Sequence, residues 1–312
     1  MTGLGAELGA RLRERDRSAA PAALNLIEDR SPGGRTEAAA LLASAGATVG
    51  GHLVGLTGPP GAGKSSLLSA LVRQWREDGR TVAVLAVDPS SKRSGGSLLG
   101  DRARIDHDPK DDGVLIRSTA AGTRLGGLAP PTREAAHALL PAFDVVVVET
   151  VGVGQSETDV AELCDTVAVV VQPGSGDTLQ FLKAGIMEVP DVLVVTKSDL
   201  GDIAMHARRD LAAAMRAIGG AKVPVVAVSS IPPVNGVDEL VAALDAHRAE
   251  IDVGAARVRA RRLSALAEFV TEHGEAGLRA LGGRRAALKL LEEQPPDAGV
   301  PVLVAALADA TG

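Results

Sequence analysis

The chain has 312 residues, of which 46% are hydrophobic and 23% charged, a globular composition long enough for one large domain with extensions. A formal net charge of -6 argues against a nucleic-acid coat or a polybasic membrane patch, and four scattered aromatics, Trp75, Phe143, Phe181 and Phe269, make no base-stacking platform. The single cysteine, Cys164, forms no internal disulfide, no apolar run approaches the roughly 18–20 residues of a membrane helix, and the first residues lack a secretory apolar core, so the expected compartment is the cytoplasm.

Residues 4–46 mix Leu and Ala with Arg and Glu at helical spacing, which predicts two or three leading helices interrupted at Pro21 and at the SPGG stretch 31–34. From Leu53 the pattern changes to short β-branched runs separated by helical stretches: 53–57, 81–87, 113–118, 144–150, 166–172, 191–197 and 222–230. Runs so continuously apolar belong to strands covered on both faces, hence an α/β fold with a mostly parallel sheet and helices on either side. Right-handed crossovers then bring the C-terminal strand ends to one edge, where a ligand is expected. Beyond about residue 237 the chain reads as helix, with a PPDAGVP turn and a short apolar tail. The expected division is an N-terminal helical extension 1–47, a P-loop domain 48–245 and a helical C-terminal extension 246–312.

The first strand runs into GPPGAGKSS, whose residues Gly58, Pro59, Pro60, Gly61, Ala62, Gly63, Lys64 and Ser65 fit G-x-x-x-x-G-K-[ST], followed by Ser66. Glycines let the backbone wrap a β-phosphate, and the helix start adds its N–H groups and positive dipole end. Lys64 is placed to reach the β- and γ-phosphates, and Ser65 to ligate Mg²⁺. Asp88 leaves the strand 81–87 at the same edge, either near a metal or as a turn cap with Ser90 and Ser91. Asp101 lies among Gly95, Gly96 and Gly100, either in a switch loop or as a helix cap. ETVGVG supplies Glu149, for Mg²⁺ through water, and Gly152, whose N–H senses the γ-phosphate; the alternative is a solvent-facing strand end. Val153 stands where Ras-type enzymes carry a water-orienting glutamine, so intrinsic hydrolysis should be slow, with Gln155 a displaced substitute.

The TKSD stretch has the [NT]-K-x-D spacing of a guanine-reading loop, the alternative being a solvated turn. Asp199 would accept from the guanine ring N–H and exocyclic amine, Lys197 would lie along the base, and Ser229, Ser230 and Ile231 would cover it with backbone N–H groups. Thr196 stands where Asn is commoner, the residue that ties this loop to the P-loop, so weaker nucleotide binding is expected. The implied cofactors are GTP or GDP and Mg²⁺.

GLTGPPGAGKSSLL, VAVLAVDPSSKRSGGSLLGDRARI, IRSTAAGTRLGGLAPPTREA, DVVVVETVGVGQSE, QPGSGDTLQFLKAGIMEVPDVLVVTKSD and the leading ALNLIEDR together resemble the methylmalonyl-CoA mutase-associated GTPases, the MeaB/ArgK/MMAA type within the SIMIBI class, over residues 20–240. The resemblance implies a P-loop NTPase fold and a homodimeric GTPase chaperone of an adenosylcobalamin-dependent acyl-CoA mutase, gating cofactor loading and protecting the enzyme. It implies the phosphate and Mg²⁺ roles for Lys64 and Ser65, metal or switch roles for Asp88 and Asp101, and the acid of an ExxG element for Glu149. It makes PGSGDTLQFLKAG a loop that communicates with the mutase, with Asp177, Gln180 and Lys183 at its polar positions, and makes the C-terminal extension a dimerisation arm. Two other functions compete. A metallochaperone GTPase would need a Cys/His cluster, whereas the six histidines are dispersed. A P-loop kinase linked to amino-acid transport would read ATP under an arginine-rich lid, which Arg35, Arg93, Arg102 and Arg104 do not compose.

Overall fold

In the computed structural model, residues 3–46, 50–88, 105–120, 128–150, 156–174, 190–220 and 222–311 are described. They form two units, one of helices (1–51, 130–143 and 252–312) and one of alternating strands and helices (52–129 and 144–251). The chain therefore enters the β/α unit once, leaves it for a single helix, and returns.

Each apolar run becomes a strand of the β/α unit: β1 (His52–Thr57), β2 (Val82–Asp88), β3 (Val114–Ala120), β4 (Val145–Glu149), β5 (Thr166–Val171), β6 (Val192–Val195) and β7 (Val225–Ala227). They make one sheet in the order β3-β2-β4-β1-β5-β6-β7, and every neighbouring pair is parallel. Alternation assigns the faces. Val54, Leu56, Val145, Val147, Ala168, Val170, Val192 and Val194 join one core with Leu67, Leu71 and Trp75 of α4 (Lys64–Glu77), as do Leu240 and Leu244 of the late helix Val237–Glu250. On the opposite face of β1, a Cβ on Gly55 would lie 2.1 Å from Val160 of the helix Ser156–Leu163, so a glycine is needed for that helix to seat. Burial on both faces explains the unbroken valines, each worth about 1.5–3 kcal/mol when removed from water.

Aspartates set the strand starts at the edge opposite the P-loop. Asp144 Oδ2 accepts from Thr81 N–H at 2.8 Å, Asp165 Oδ2 from Leu53 N–H at 2.9 Å, and Asp191 Oδ2 from Val167 N–H at 2.8 Å. Each carboxylate satisfies a backbone donor of the adjacent strand and so fixes the register from which the other edge is built.

The helical unit begins with α1 (Leu4–Arg13), α2 (Ala20–Glu28) and α3 (Pro32–Ala45). Pro21 and the SPGG stretch open helices here instead of breaking them. Pro21 and Pro32 occupy the first turn, where the missing N–H costs nothing, and the Ser31 hydroxyl accepts from Gly34 N–H at 3.1 Å. A Cβ on Gly5 would lie 1.9 Å from the Glu37 carbonyl oxygen, so α1 meets α3 backbone to backbone. The unit continues with α5 (Pro130–Leu139) and, after α6 (Ser156–Leu163), α7 (Asp202–Ala217) and α8 (Val237–Glu250) of the β/α unit, with α9 (Val253–Ala280), kinked at Gly274 with φ 63°, α10 (Arg284–Glu292) and α11 (Val300–Asp309), which is the apolar tail of the sequence. Leu266, Phe269, Leu291, Leu303 and Leu307 form a core between these last three helices. Among the described residues no helix is long and apolar enough to cross a membrane.

Candidate functional site

Three strand ends and one helix start converge at the C-terminal edge of the sheet. After Thr57 the chain turns through Gly58, with φ 143°, and Gly61 and Gly63, with φ 78° and 88°. Gly58 has no substitute: a Cβ there would sit 2.1 Å from the Val170 carbonyl oxygen of β5. The loop ends at Gly63, which caps α4 with no side chain, so the first N–H groups of that helix have no capping side chain competing for them. Pro60, Gly61 and Ser66 are exposed and Ala62 is buried. Lys64 is buried with its ammonium donating to Gly58 O at 2.7 Å and Pro59 O at 3.1 Å, folded across its own loop.

Glu149 is the last residue of β4, in register with Leu56 of β1 and Ala86 of β2, and is 7% exposed. Its Oε1 accepts from the Ser65 hydroxyl at 3.1 Å. Behind it the Thr150 hydroxyl donates to Thr57 Oγ1 at 2.9 Å, both residues being buried, which fastens the end of β4 to the end of β1. Asp88 ends β2, two positions past the residue paired with Glu149, so its backbone reaches the same edge. Asp101, Gly152, Gln155, Asp177, Gln180 and Lys183 lie outside the described residues.

The expected base-reading loop follows β6 and is tied to the P-loop. The Thr196 hydroxyl donates to Ala62 O at 2.6 Å, while Thr196 N–H satisfies Val171 O at 3.0 Å. A threonine thus makes a loop-to-loop tie at the place where asparagine is commoner. Lys197 takes a left-handed backbone, φ 55°, and its ammonium donates to Gln172 Oε1 at 2.6 Å. Asp199 is exposed and accepts from the Ser229 hydroxyl at 3.3 Å. Ser229 N–H is committed to Asn235 O at 3.1 Å, so its place in the site is to hold the loop, and Ser230 and Ile231 follow it at the rim. Asn235 also accepts through Oδ1 from the Ser198 hydroxyl at 2.8 Å, joining the two loops.

Sequence reasoning missed Gln172 and Asn235. Gln172 sits directly after the valines of β5, a polar residue at the C-terminal strand edge, which was a usable signal. Asn235 precedes Gly236 in an Asn-Gly pair that reads only as a turn.

The arrangement offers backbone donors for phosphate at a helix start, a buried ammonium held by loop carbonyls, a hydroxyl bonded to a carboxylate, and an exposed carboxylate two residues after a lysine. The two oxygen donors of Ser65 and Glu149 suit a hard divalent cation. Four of the six histidines do other work: His52 and His247 bond Thr166, His107 Nδ1 lies 3.1 Å from Ile105 O, and His273 stacks on Phe269 with ring centroids 4.6 Å apart. Among the described residues no three His, Cys, Asp or Glu side chains gather as a metal set.

The chain is similar to known proteins over most of its length. The family model for the methylmalonyl-CoA mutase-associated GTPase MeaB matches residues 20–280. A Pyrococcus horikoshii relative that carries a GTPase name is 45% identical over 195 residues, 62% of this chain and 60% of that one, so this chain spans about three fifths of that relative's length. A Mycobacterium tuberculosis relative, also named as a GTPase, is 40% identical over 264 residues, covering 82% of this chain and 78% of the relative. Among solved structures, that of a LAO/AO transport system kinase superposes with a TM-score of 0.68 at 27% identity, over 98% of this chain and 96% of that one. The chain belongs to the methylmalonyl-CoA mutase-associated GTPase MeaB family.

Proposed function

We propose that this protein binds GTP at the C-terminal edge of the sheet and hydrolyses it to GDP and phosphate, acting as a switch on an adenosylcobalamin-dependent acyl-CoA mutase. The observation that carries the nucleotide reading is the 2.6 Å bond from Thr196 to Ala62, because it holds a base-reading loop and a phosphate loop as one site. Asp199 takes the guanine N–H and amine, the Lys197 stem lies along the ring, and Ser230 and Ile231 complete the cover.

Lys64 exchanges the carbonyls of Gly58 and Pro59 for β- and γ-phosphate oxygens, which accept more strongly because they are charged. Ser65 and Glu149 would hold Mg²⁺, Glu149 through water, with Asp88 and Asp101 assigned to the metal's surroundings and to a switch loop. Bound there, the ion would neutralise charge developing on the transferred phosphoryl group. Gly152 is assigned to γ-phosphate sensing. With Val153 next in the chain and Gln155 displaced, intrinsic turnover is slow and a partner sets the rate.

The family name supports a mutase as that partner. Asp177, Gln180 and Lys183 are assigned to the communicating loop, and the C-terminal extension to a homodimer, with Val302 of α11 58% exposed. Gating of cofactor loading and protection of the mutase follow from the same reading.

Calorimetry with GTP and ATP tests the nucleotide assignment, with K64A as the second arm. GTP binding that K64A abolishes is the expected result; preference for ATP would favour a kinase and overturn the assignment. Capture of an acyl-CoA mutase that depends on a non-hydrolysable GTP analogue tests the partner.

A further inference from the structure

The end of β5 brings to the site a side chain that belongs to neither the phosphate loop nor the TKSD loop. Val171, the last residue of β5, is in register with Val195 of β6, and Thr196 N–H continues that ladder onto Val171 O at 3.0 Å. Gln172 and Lys197 therefore leave the sheet on neighbouring strands, one position out of step. Pro173 follows Gln172 and is buried, and the residue ahead of a proline is held to extended backbone. An extended course keeps Gln172 on the face of β5 that carries Val170, which shares a core with Leu67 and Leu71 of α4, the helix that starts at the phosphate loop.

Lys197 is fixed in its backbone and exposed in its side chain. Its φ of 55° is left-handed, a region in which a lysine stays only when its surroundings hold it. They do: Ser198 N–H donates to Val228 O at 3.1 Å, and Leu200 N–H to Lys197 O at 3.0 Å. The long stem is still free to rotate, and an exposed ammonium without an acceptor turns into water. Among the described residues two oxygens receive it, Gln172 Oε1 at 2.6 Å and Gly61 O at 3.4 Å. The shorter bond is the stronger, so Gln172 sets where the ammonium stops, and the Gly61 contact puts that stop against the phosphate loop. The acceptor is a neutral carboxamide. It holds the ammonium without cancelling its charge, which suits a site for a polyanion.

We propose that Gln172 is a positioning residue for guanine nucleotides, its carboxamide holding the Lys197 ammonium so that the lysine stem is laid out for the base before the nucleotide arrives. The inference rests on the guanine reading of the TKSD loop. A stem already ordered loses less freedom on binding, so Gln172 acts on affinity, and acts through Lys197.

Calorimetry on the full chain with GDP and with inosine diphosphate tests this. Inosine diphosphate lacks the exocyclic amine assigned to Asp199 but offers the same ring face to a lysine stem. Q172M keeps the length and removes the acceptor, and it should weaken both nucleotides by the same factor, about tenfold. In K197M the tie has nothing to hold, so adding Q172M to K197M should weaken GDP by no more than about twofold further. If Q172M does not fold, Q172A takes its place in both arms. Q172M or K197M binding GDP like the wild type, additive losses in the double variant, or a loss for GDP without a loss for inosine diphosphate would overturn the proposal while leaving the guanine reading intact. A wild type that binds no guanine nucleotide overturns the guanine reading and this proposal with it.

Discussion

The Ser65 hydroxyl donates to Glu149 Oε1 at 3.1 Å, joining the second residue of α4 to the last residue of β4. One group comes from a helix start and the other from a strand end, and the Thr150 bond to Thr57 fastens the end of β4 to the end of β1. For Glu149→Gln, steady-state hydrolysis of GTP under saturating Mg²⁺ should fall roughly 10–100-fold, the usual range for a group that orients a metal ligand. GDP affinity measured without Mg²⁺ should stay within about twofold. Equal losses in both would assign Glu149 to the fold and remove it from metal chemistry.

Thr196 is buried and its hydroxyl supplies the tie from β6 to the P-loop. Thr196→Val keeps the shape and removes that donor, which costs about 1–3 kcal/mol if the change leaves an acceptor unpaired. Guanine-nucleotide affinity by calorimetry should therefore drop about tenfold or more. Thr196→Asn, which can donate from its amide, should recover most of it. If the valine variant binds GDP like the wild type, the tie is dispensable and the base loop is positioned by Gln172 and Asn235.

Why the strands were readable is clear from β4 and β5: VVVV and TVAVVV are buried on both faces, so nothing polar interrupts the run. β7 is shorter than its sequence run 222–230: Val223 N–H turns back to Gly220 O at its start, and Ser229 pairs with Asn235 beyond its end. Pro21, Pro32 and Pro301 misled as breaks because proline is also at home in a helix's first turn, and only the cap tells the two apart. The excursion of α5 into the helical unit had no local signal, since PPTREAAHAL is an ordinary amphipathic helix whichever unit it packs in. Of the site, the phosphate loop and Glu149 were legible because their chemistry is local. Gln172 with Lys197, 25 residues apart, and Ser198 with Asn235, 37 apart, are bonds between loops that only the sheet order brings together.

Glu134 carries a pH dependence in the helical unit. Burial first, and then the charge of Glu268, push its carboxyl up to about 7, against the opposing pull of Arg30. A carboxyl that binds its proton more tightly folded than unfolded stabilises the fold most below the unfolded value near 4.5, and that contribution is lost as pH rises through about 7. The decline should be on the order of 2–3 kcal/mol. Glu134→Gln removes the titrating group, so urea unfolding followed by far-ultraviolet circular dichroism should show a flatter profile between about pH 4.5 and about pH 7. An unchanged slope would mean that Glu268, also raised by burial, carries the dependence instead.

At the opposite edge of the sheet from the P-loop, Thr166 sits between two histidines. Its Oγ lies 2.8 Å from His52 Nε2 and 2.9 Å from His247 Nδ1, and His247 Nε2 is 3.1 Å from Asp191 Oδ1. The hydrogen bond to Asp191 is the main cause holding His247 above its ordinary value. Burial is the main cause holding His52 below its ordinary value, and the Thr166 hydroxyl bridges the two rings, its donor and acceptor roles set by their tautomers. A hydroxyl can donate to one ring while accepting from the other. Thr166→Val should destabilise the β/α unit by about 1–3 kcal/mol, and Thr166→Ser should restore most of it. Urea unfolding read through Trp75, the only tryptophan and buried in that unit, measures both. The contribution of His247 is complete below its unfolded value of about 6.5 and is lost as pH rises through its higher folded value, so His247→Gln should flatten the alkaline side of the profile. His52 has the opposite sign and lowers stability as pH falls below about 6.5. A valine variant as stable as the wild type at every pH would show that the Thr166 bonds are dispensable and that the rings are held by their carboxylates, His247 by Asp191 and His52 by Asp245, whose Oδ1 lies 3.9 Å from its Nδ1.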